Sequence, residues 1–214
     1  EDCAHALGAC YAGQFVGQEG DFALFSFQAI KHMTTVDGGF LLYKDSSLTE
    51  KAKRIRWFGM LKGVPRTEID LSIQGYKYNM SNVTAEIGLL QLQHNIDKVI
   101  QRHIENGKYY DSQLNGIKGV KFARGVSFSE GSYWLYTMLV DNSERFEKAL
   151  TEAGVSASKL HKPNHLHSFF KSSYRVLPGL NKFYKQLLHI PCGWWVTDED
   201  RQKIVEVIKR EALR

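Results

Sequence analysis

The chain has 214 residues, 43% of them hydrophobic, and a formal net charge of +5. This is enough to fill the core of one or two globular domains. No apolar run has the length of a membrane-spanning helix, and no aromatic-basic binding motif accompanies the charge, so we expect neither a membrane nor a nucleic acid as a partner. The three cysteines lack metal-ligand spacing and no signal peptide opens the chain, so we expect reduced thiols and a cytoplasmic location.

The first part of the chain alternates short strands with loops. Its pattern predicts strands at residues 22–26 and 40–43 and a helix near residues 48–58. A long helical pattern then runs over residues 83–114, and Ser81 or Asn82 is the candidate N-cap. This arrangement fits part of an α/β domain with catalytic residues at strand ends.

The second part, from about residue 116, predicts a small α+β domain. Aromatic and β-branched residues predict a strand at 133–140, and a helix over 143–153 would end at Gly154. A short buried strand is expected at 187–190. Thr197 followed by Asp200 resembles a capping box at the start of the last helix.

Lys31 has the most informative setting in the sequence. It lies in a short apolar-flanked segment between two predicted strands. Burial can deprotonate such a lysine and make it a nucleophilic amine that forms a Schiff base. Pyridoxal phosphate often uses such a lysine, and it also needs a carboxylate at its ring nitrogen and hydroxyl or amide groups at its phosphate. Asp2 and Ser26 are residues of the right types for those two contacts.

Five sequence blocks carry a resemblance to a known family. They are EDCAHA at 1–6, GDFALFSF at 20–27, TTVDGG at 34–39, GYKYNM at 75–80 and IPCGWWVTDED at 190–200. In their order and spacing they resemble the DegT/DnrJ/StrS family of pyridoxal-phosphate-dependent sugar-nucleotide aminotransferases, which have the aspartate aminotransferase fold (fold type I). Members carry a long region before the first block, so the chain resembles the C-terminal portion of a longer enzyme.

The resemblance implies an α/β fold in three parts. Residues 1–82 would be the C-terminal part of the cofactor-binding large domain, with a mixed sheet and helices on both faces. Residues 83–115 would be a connecting helix. Residues 116–214 would form a small C-terminal α+β domain.

The resemblance also implies roles for five residues. Lys31 would form the Schiff base and then carry a proton between substrate and cofactor. Asp2 would keep the pyridine nitrogen protonated, His5 would lie beside the ring, and Ser26 would bind the phosphate. Asn79 would reach the phosphate in the neighbouring subunit, which implies a homodimer with shared active sites. The alternatives are a turn-capping Asp2, an ordinary histidine, a strand-end hydroxyl and a loop asparagine.

A histidine-rich segment follows in the second part. His161 and His165 have a spacing seen in metal sites, but no carboxylate or cysteine nearby completes a ligand set, so we expect no metal. The family places a substrate-contacting loop here, which makes His161 and His165 candidate substrate contacts. Residues 162–165 depart from the family pattern, which leaves this assignment open.

The resemblance implies transfer of an amino group from an amino-acid donor, L-glutamate, to a nucleotide-linked keto-deoxy sugar. The product would be an amino sugar for surface polysaccharide biosynthesis. Two alternatives stay open: a truncated, catalytically inactive family member, and a pyridoxal-phosphate-dependent sugar dehydratase. Dehydratases of this family have histidine where this chain has Lys31, which favours transamination.

Overall fold

The computed structural model describes residues 1–123 and 125–214. The chain divides into two compact units, unit 1 over residues 1–97 and unit 2 over residues 98–214. The domain boundaries predicted at residues 82 and 115 stay a prediction. Within the described residues, no helix combines the length and the apolar character needed to cross a membrane.

Unit 1 contains two pairs of strands and two complete helices. These elements are β1 (Cys10–Tyr11), β2 (Gln14–Phe15), β3 (Phe22–Ser26), β4 (Gly39–Tyr43), α1 (Thr49–Ile55) and α2 (Asn82–His94). A 3-10 turn, Ser46–Leu48, precedes α1. Asp45 caps that turn, because its side chain accepts a hydrogen bond from the Ser47 backbone N–H at 2.9 Å.

The sheet around β3 is mixed, as predicted. β3 pairs antiparallel with β4, with Ser26 opposite Gly39. Residues 1–3 run parallel to β3: the N–H of Cys3 donates to the Leu24 carbonyl at 2.9 Å, and the N–H of Leu24 donates to the Glu1 carbonyl at 3.0 Å. The carboxyl ends of parallel strands meet at one edge of a sheet, so the residues after position 3 and those after Ser26 leave the sheet at the same edge.

The single helix predicted over 83–114 is wrong, because two helices occupy that range. α2 ends at His94, and Asn95 has φ −144°, outside the helical region. α3 (Ile96–Leu114) begins directly after it. Asparagine often interrupts helices, because its side chain competes for backbone hydrogen bonds. Ser81 is the N-cap, accepting from the Thr84 N–H at 3.1 Å.

α1 is also shorter than the predicted 48–58. Phe58 has φ +54°, a left-handed conformation that a helix does not continue through. The N–H of Gly59 donates to the Arg54 carbonyl at 2.8 Å and closes the turn that follows the helix.

Unit 2 is an α+β arrangement, as predicted. Besides most of α3, its elements are β5 (Val120–Phe122), β6 (Ser129–Glu130), β7 (Tyr136–Val140), α4 (Ser143–Glu152), α5 (Pro178–Gln186), β8 (Leu187–Ile190) and α6 (Asp198–Ala212). Two 3-10 helices, Asn164–Leu166 and Ser168–Ser173, precede α5. β7 lies between β5 and β8 and pairs antiparallel with both. The predicted start of β7 at residue 133 is wrong, because Tyr133 has φ +48° and cannot extend the strand.

The core of unit 2 forms where α3, α4 and α6 pack with this sheet. Its members are apolar residues of these elements, including Tyr110, Leu114, Met138, Phe146, Leu150, Leu188, Ile190, Ile204 and Ile208. The predicted capping box begins α6: Thr197 Oγ1 accepts from the Asp200 N–H at 3.1 Å, and Asp200 Oδ2 accepts from the Thr197 N–H at 3.0 Å. Gly154, with φ +78°, follows α4 as predicted.

Candidate active site

Lys31 lies in a compact loop that joins β3 to β4. The N–H of Phe27 donates to the Gly38 carbonyl at 2.8 Å, and the N–H of Thr35 donates to the Phe27 carbonyl at 2.9 Å. These two bonds close the base of the loop over residues 27–38, which we call the lysine loop. Glycine is required where the loop re-enters the sheet, because a Cβ at Gly39 would collide with the Phe25 carbonyl oxygen.

Lys31 is partly buried, and the next two residues of the loop, His32 and Met33, are buried. Burial lowers the pKa of Lys31, while the negative charge of Asp2 acts in the opposite direction. A lowered pKa increases the fraction of neutral amine near pH 7, which is the form that reacts with carbonyl compounds. Two of the predicted site residues, Asp2 and Lys31, therefore lie within electrostatic range of each other.

The segment that carries Asp2 is fixed by its own hydrogen bonds. Asp2 Oδ1 accepts from the Ala4 N–H at 3.1 Å. The Glu1 carboxylate accepts backbone N–H groups from Gly20 at 2.8 Å and from Gly17 and Glu19 at 2.9 Å each. These bonds, that from Gly20 foremost, lower the pKa of Glu1. No role was predicted for Glu1, the first residue of its motif. In the structure it ties residues 17–20 to the strand segment that bears Asp2.

His5 and Ser26 lie at the edge of the sheet where the lysine loop begins. Ser26 ends β3, and its Oγ accepts a long hydrogen bond of 3.4 Å from the Gln28 N–H. His5 is exposed and lies in the turn after residues 1–3, which the Ala6 N–H closes by donating to the Cys3 carbonyl at 3.0 Å. Their predicted contacts with the cofactor stay predictions.

Asn79 lies beside the other end of the lysine loop. Its Nδ2 donates to the Met80 carbonyl at 2.7 Å. Met80 in turn lies against Gly38, since a Cβ at that glycine would stand 2.7 Å from Met80 Cε. The predicted contact of Asn79 with a neighbouring subunit stays a prediction.

His161 and His165 belong to unit 2. Burial lowers the pKa of His189, and the nearby His161 lowers it further. The His165 ring packs on Tyr174 with their centroids 5.6 Å apart. The substrate contacts predicted for His161 and His165 stay a prediction. In the described part of the chain, no group of three or more His, Cys, Asp or Glu side chains could hold a metal ion.

Two residues of α2 that the sequence did not single out hold the lysine loop. Gln91 hydrogen-bonds both backbone groups of Thr34, and a Cβ at Gly88 would stand 2.9 Å from Thr35 Cγ2. Glycine inside a helical pattern is a signal of close packing that was available at position 88. No local signal pointed to Gln91.

The sequence and the fold of this chain were compared with those of known proteins. The sequence model of the DegT/DnrJ/EryC1/StrS aminotransferase family matches residues 1–209. A UDP-4-amino-4,6-dideoxy-N-acetyl-beta-L-altrosamine transaminase of Campylobacter jejuni is 30% identical over 200 residues, covering 90% of this chain and 52% of that protein.

Solved structures of sugar aminotransferases also resemble this chain. Sugar aminotransferase CalS13 from Micromonospora echinospora matches with TM-score 0.92 and 35% identity, over 98% of this chain and 57% of that one. Spr1654 from Streptococcus pneumoniae, in its PLP-form, matches with TM-score 0.86 and 27% identity, over 99% of this chain and 57% of that one. The chain thus spans a little more than half the length of these proteins.

Proposed function

The chain belongs to the DegT/DnrJ/EryC1/StrS aminotransferase family, and from this premise we propose that it provides the catalytic lysine of a pyridoxal-phosphate-dependent sugar aminotransferase. One observation carries the proposal. Lys31 has a pKa lowered by burial and lies within electrostatic reach of the Asp2 carboxylate, in a loop closed on the mixed sheet. A lysine prepared in this way suits carbonyl and amine chemistry.

The residues present fit pyridoxal phosphate. Lys31 offers an amine of lowered pKa, Asp2 offers a carboxylate, and Ser26 and Asn79 offer a hydroxyl and an amide for a phosphate. When bound, pyridoxal phosphate supplies a ring that accepts the electrons of a substrate carbanion. Asp2 holds a proton at the ring nitrogen, because a carboxylate stabilises the positive charge of a protonated pyridine.

Lys31 acts as the general acid and base of the reaction. Its neutral amine accepts a proton from the substrate carbon, and the resulting ammonium returns a proton to the other reacting carbon. A lowered pKa supports both directions, because general acid–base catalysis is most efficient when the catalytic pKa approaches the working pH. The loop closure at Phe27 and Thr35 fixes the backbone that carries this amine.

The proposed substrates are a nucleotide-linked keto-deoxy sugar and L-glutamate as the amino donor, with an amino sugar for surface polysaccharide as the product. The Campylobacter jejuni relative, a transaminase of a UDP-linked amino sugar, supports the substrate class. His161 and His165 are the proposed sugar contacts. The proposed working form is a homodimer in which Asn79 binds the phosphate in the neighbouring subunit.

Turnover tests this proposal. The chain is incubated with pyridoxal phosphate, L-glutamate and a UDP-linked 4-keto-6-deoxy sugar, and 2-oxoglutarate is measured with a coupled dehydrogenase. We expect 2-oxoglutarate to form only when the sugar is present. Lys31→Ala should abolish its formation, whereas Lys51→Ala, a change at an exposed lysine of α1, should not. Equal rates in wild type and Lys31→Ala would overturn the proposal.

The inactive alternative is favoured by one feature, the apolar surface of α2. Its exposed residues include Val83, Leu89, Leu90 and Leu92. Several exposed apolar side chains on one helix are normally covered by another protein surface. In this second candidate function the chain associates with a second copy through α2 and does not catalyse. A dimer in sedimentation analysis with no binding of pyridoxal phosphate would favour it, and sugar-dependent turnover that requires Lys31 would exclude it.

A further inference from the structure

The side chain of Gln91 hydrogen-bonds both backbone groups of one residue of the lysine loop, Thr34. Its Oε1 accepts from the Thr34 N–H at 3.2 Å, and its Nε2 donates to the Thr34 carbonyl at 2.5 Å. Nε2 also donates to the Ile87 carbonyl at 3.0 Å, one turn earlier in α2. The amide is therefore fixed by its own helix and, through two opposed bonds, fixes both the position and the orientation of the Thr34 peptide groups.

The surroundings of this contact are tightly packed. Met33 and Thr35, on either side of Thr34, are 2% and 0% exposed. Gly88, one turn before Gln91, gives these two side chains room, because a Cβ there would lie 2.9 Å from Thr35 Cγ2 and 3.2 Å from Met33 Cε. The loop cannot shift along α2 without breaking both hydrogen bonds and this packing.

The contact reaches Lys31 through a short stretch of backbone. Thr34 is three residues after Lys31, and on the other side the Lys31 N–H donates to the Gln28 carbonyl at 2.9 Å. The lysine is thus held between a turn at its N-terminal side and the Gln91 contact at its C-terminal side. A displacement of Thr34 would change how deeply the lysine side chain is buried.

We propose that Gln91 is a positioning residue that sets the burial and placement of the Lys31 amine. Only the chemical role of the Lys31 amine toward a cofactor rests on the proposed function; its burial and placement do not. If Gln91 releases the loop, Lys31 gains contact with water. Its pKa then rises toward the ordinary lysine range, because burial is the larger of the two influences on it and the attraction to Asp2 is the smaller.

The test measures the reactivity of Lys31 without any cofactor. Wild type, Gln91→Leu and Gln91→Met are labelled with limiting acetic anhydride between pH 6 and 11 beside an added amine standard, and the Lys31 peptide is quantified by mass spectrometry. Leucine and methionine keep the approximate size and helical preference of the side chain, but neither can donate a hydrogen bond, and the methionine sulfur is only a weak acceptor. Gln93→Leu, an exposed position of the same helix, is the matched control.

We expect the pH midpoint of Lys31 labelling to rise in both Gln91 variants and to stay at the wild-type value in Gln93→Leu. Hydrogen exchange at the Thr34 amide should speed up in the Leu and Met variants. Gln91→Glu should speed it up as well, because a carboxylate cannot donate and would put an oxygen against the carbonyl oxygens of Thr34 and Ile87. Circular dichroism shows whether each variant is folded. If Gln91→Leu is unfolded, the labelling of Gln91→Met decides the test.

An unchanged Lys31 midpoint in a folded Gln91→Leu or Gln91→Met variant would overturn the inference, whatever the exchange rate of the Thr34 amide. The contact would then hold the loop without positioning the amine. Because this labelling needs no pyridoxal phosphate, the outcome is independent of the proposed function. A wild-type chain that fails to bind the cofactor would refute the function and leave the Gln91 result standing.

Discussion

The Asp2 carboxylate lies close enough to the Lys31 ammonium to oppose the effect of burial on its pKa. The two residues reach this position from different parts of the sheet: Asp2 from the segment parallel to β3, and Lys31 from the loop that follows β3. The same carboxylate is the proposed partner of the cofactor ring nitrogen. Asp2 thus has an electrostatic effect on the Lys31 amine before any cofactor binds.

The first prediction concerns pH dependence. Asp2 raises the pKa of Lys31, so Asp2→Asn should lower it further. More of the amine is then neutral at a given pH, and the midpoint of Lys31 acylation should move to lower pH. Asp37→Asn, at an exposed carboxylate of the same loop, is the control and should leave the midpoint in place. A midpoint that moves upward in Asp2→Asn would contradict this electrostatic relationship.

The second prediction concerns strain in the lysine loop. Val36 has φ +72° and is 66% exposed. A left-handed conformation costs an L-residue about 1–2 kcal/mol, most severely a β-branched one, whereas asparagine adopts it readily. Val36→Asn should therefore raise the free energy of unfolding by about 1 kcal/mol, measured by urea denaturation. Val176→Asn, at a similarly exposed valine, should give no such gain.

The third prediction concerns the return of the loop into β4. A Cβ at Gly39 would meet the Phe25 carbonyl, so Gly39→Ala must push β3 and β4 apart. We expect a loss of about 1–3 kcal/mol in the free energy of unfolding, the usual cost of overpacking. Gly179→Ala is the control: it meets no atom within 4 Å in α5 and should be neutral or slightly stabilising. Equal stability of the two variants would show that the strands do not need glycine here.

The fourth prediction tests the shared active site. If Asn79 serves the neighbouring subunit, Lys31→Ala and Asn79→Ala chains complement each other, because a mixed dimer keeps one site with both residues intact. Equal mixing should restore up to about a quarter of wild-type turnover, since half of the dimers are mixed and each has one intact site of two. Turnover of the mixture that equals the mean of the two separate variants would place Asn79 in the site of its own subunit.

Local side-chain and backbone interactions were predictable from the sequence. The N-cap at Ser81 and the capping box at Thr197 were both found where the residue types indicated them. The strands at 22–26 and 187–190 were confirmed to the residue. The approach of Asp2 to Lys31 fits residue types and motif order, but their roles toward a cofactor remain predictions.

Interactions between distant residues were not predictable in this way. The break at Asn95 lies between two segments with the same helical periodicity of apolar residues, so this periodicity gives no sign of the break. Gln91 reaches Thr34 over 57 positions of the chain, and no local pattern records such a contact. The missed helix α5 is a different case, because Pro178 at its first turn was a readable start signal.

The proposed function depends on covalent binding of pyridoxal phosphate by Lys31. Reduction with sodium borohydride in the presence of the cofactor, followed by peptide mass spectrometry, identifies the lysine that binds it. We predict one pyridoxyl-modified peptide, which contains Lys31, is lost in Lys31→Ala and persists in Lys51→Ala. Modification spread evenly over exposed lysines, or undiminished in Lys31→Ala, would show that Lys31 is not the lysine that binds the cofactor.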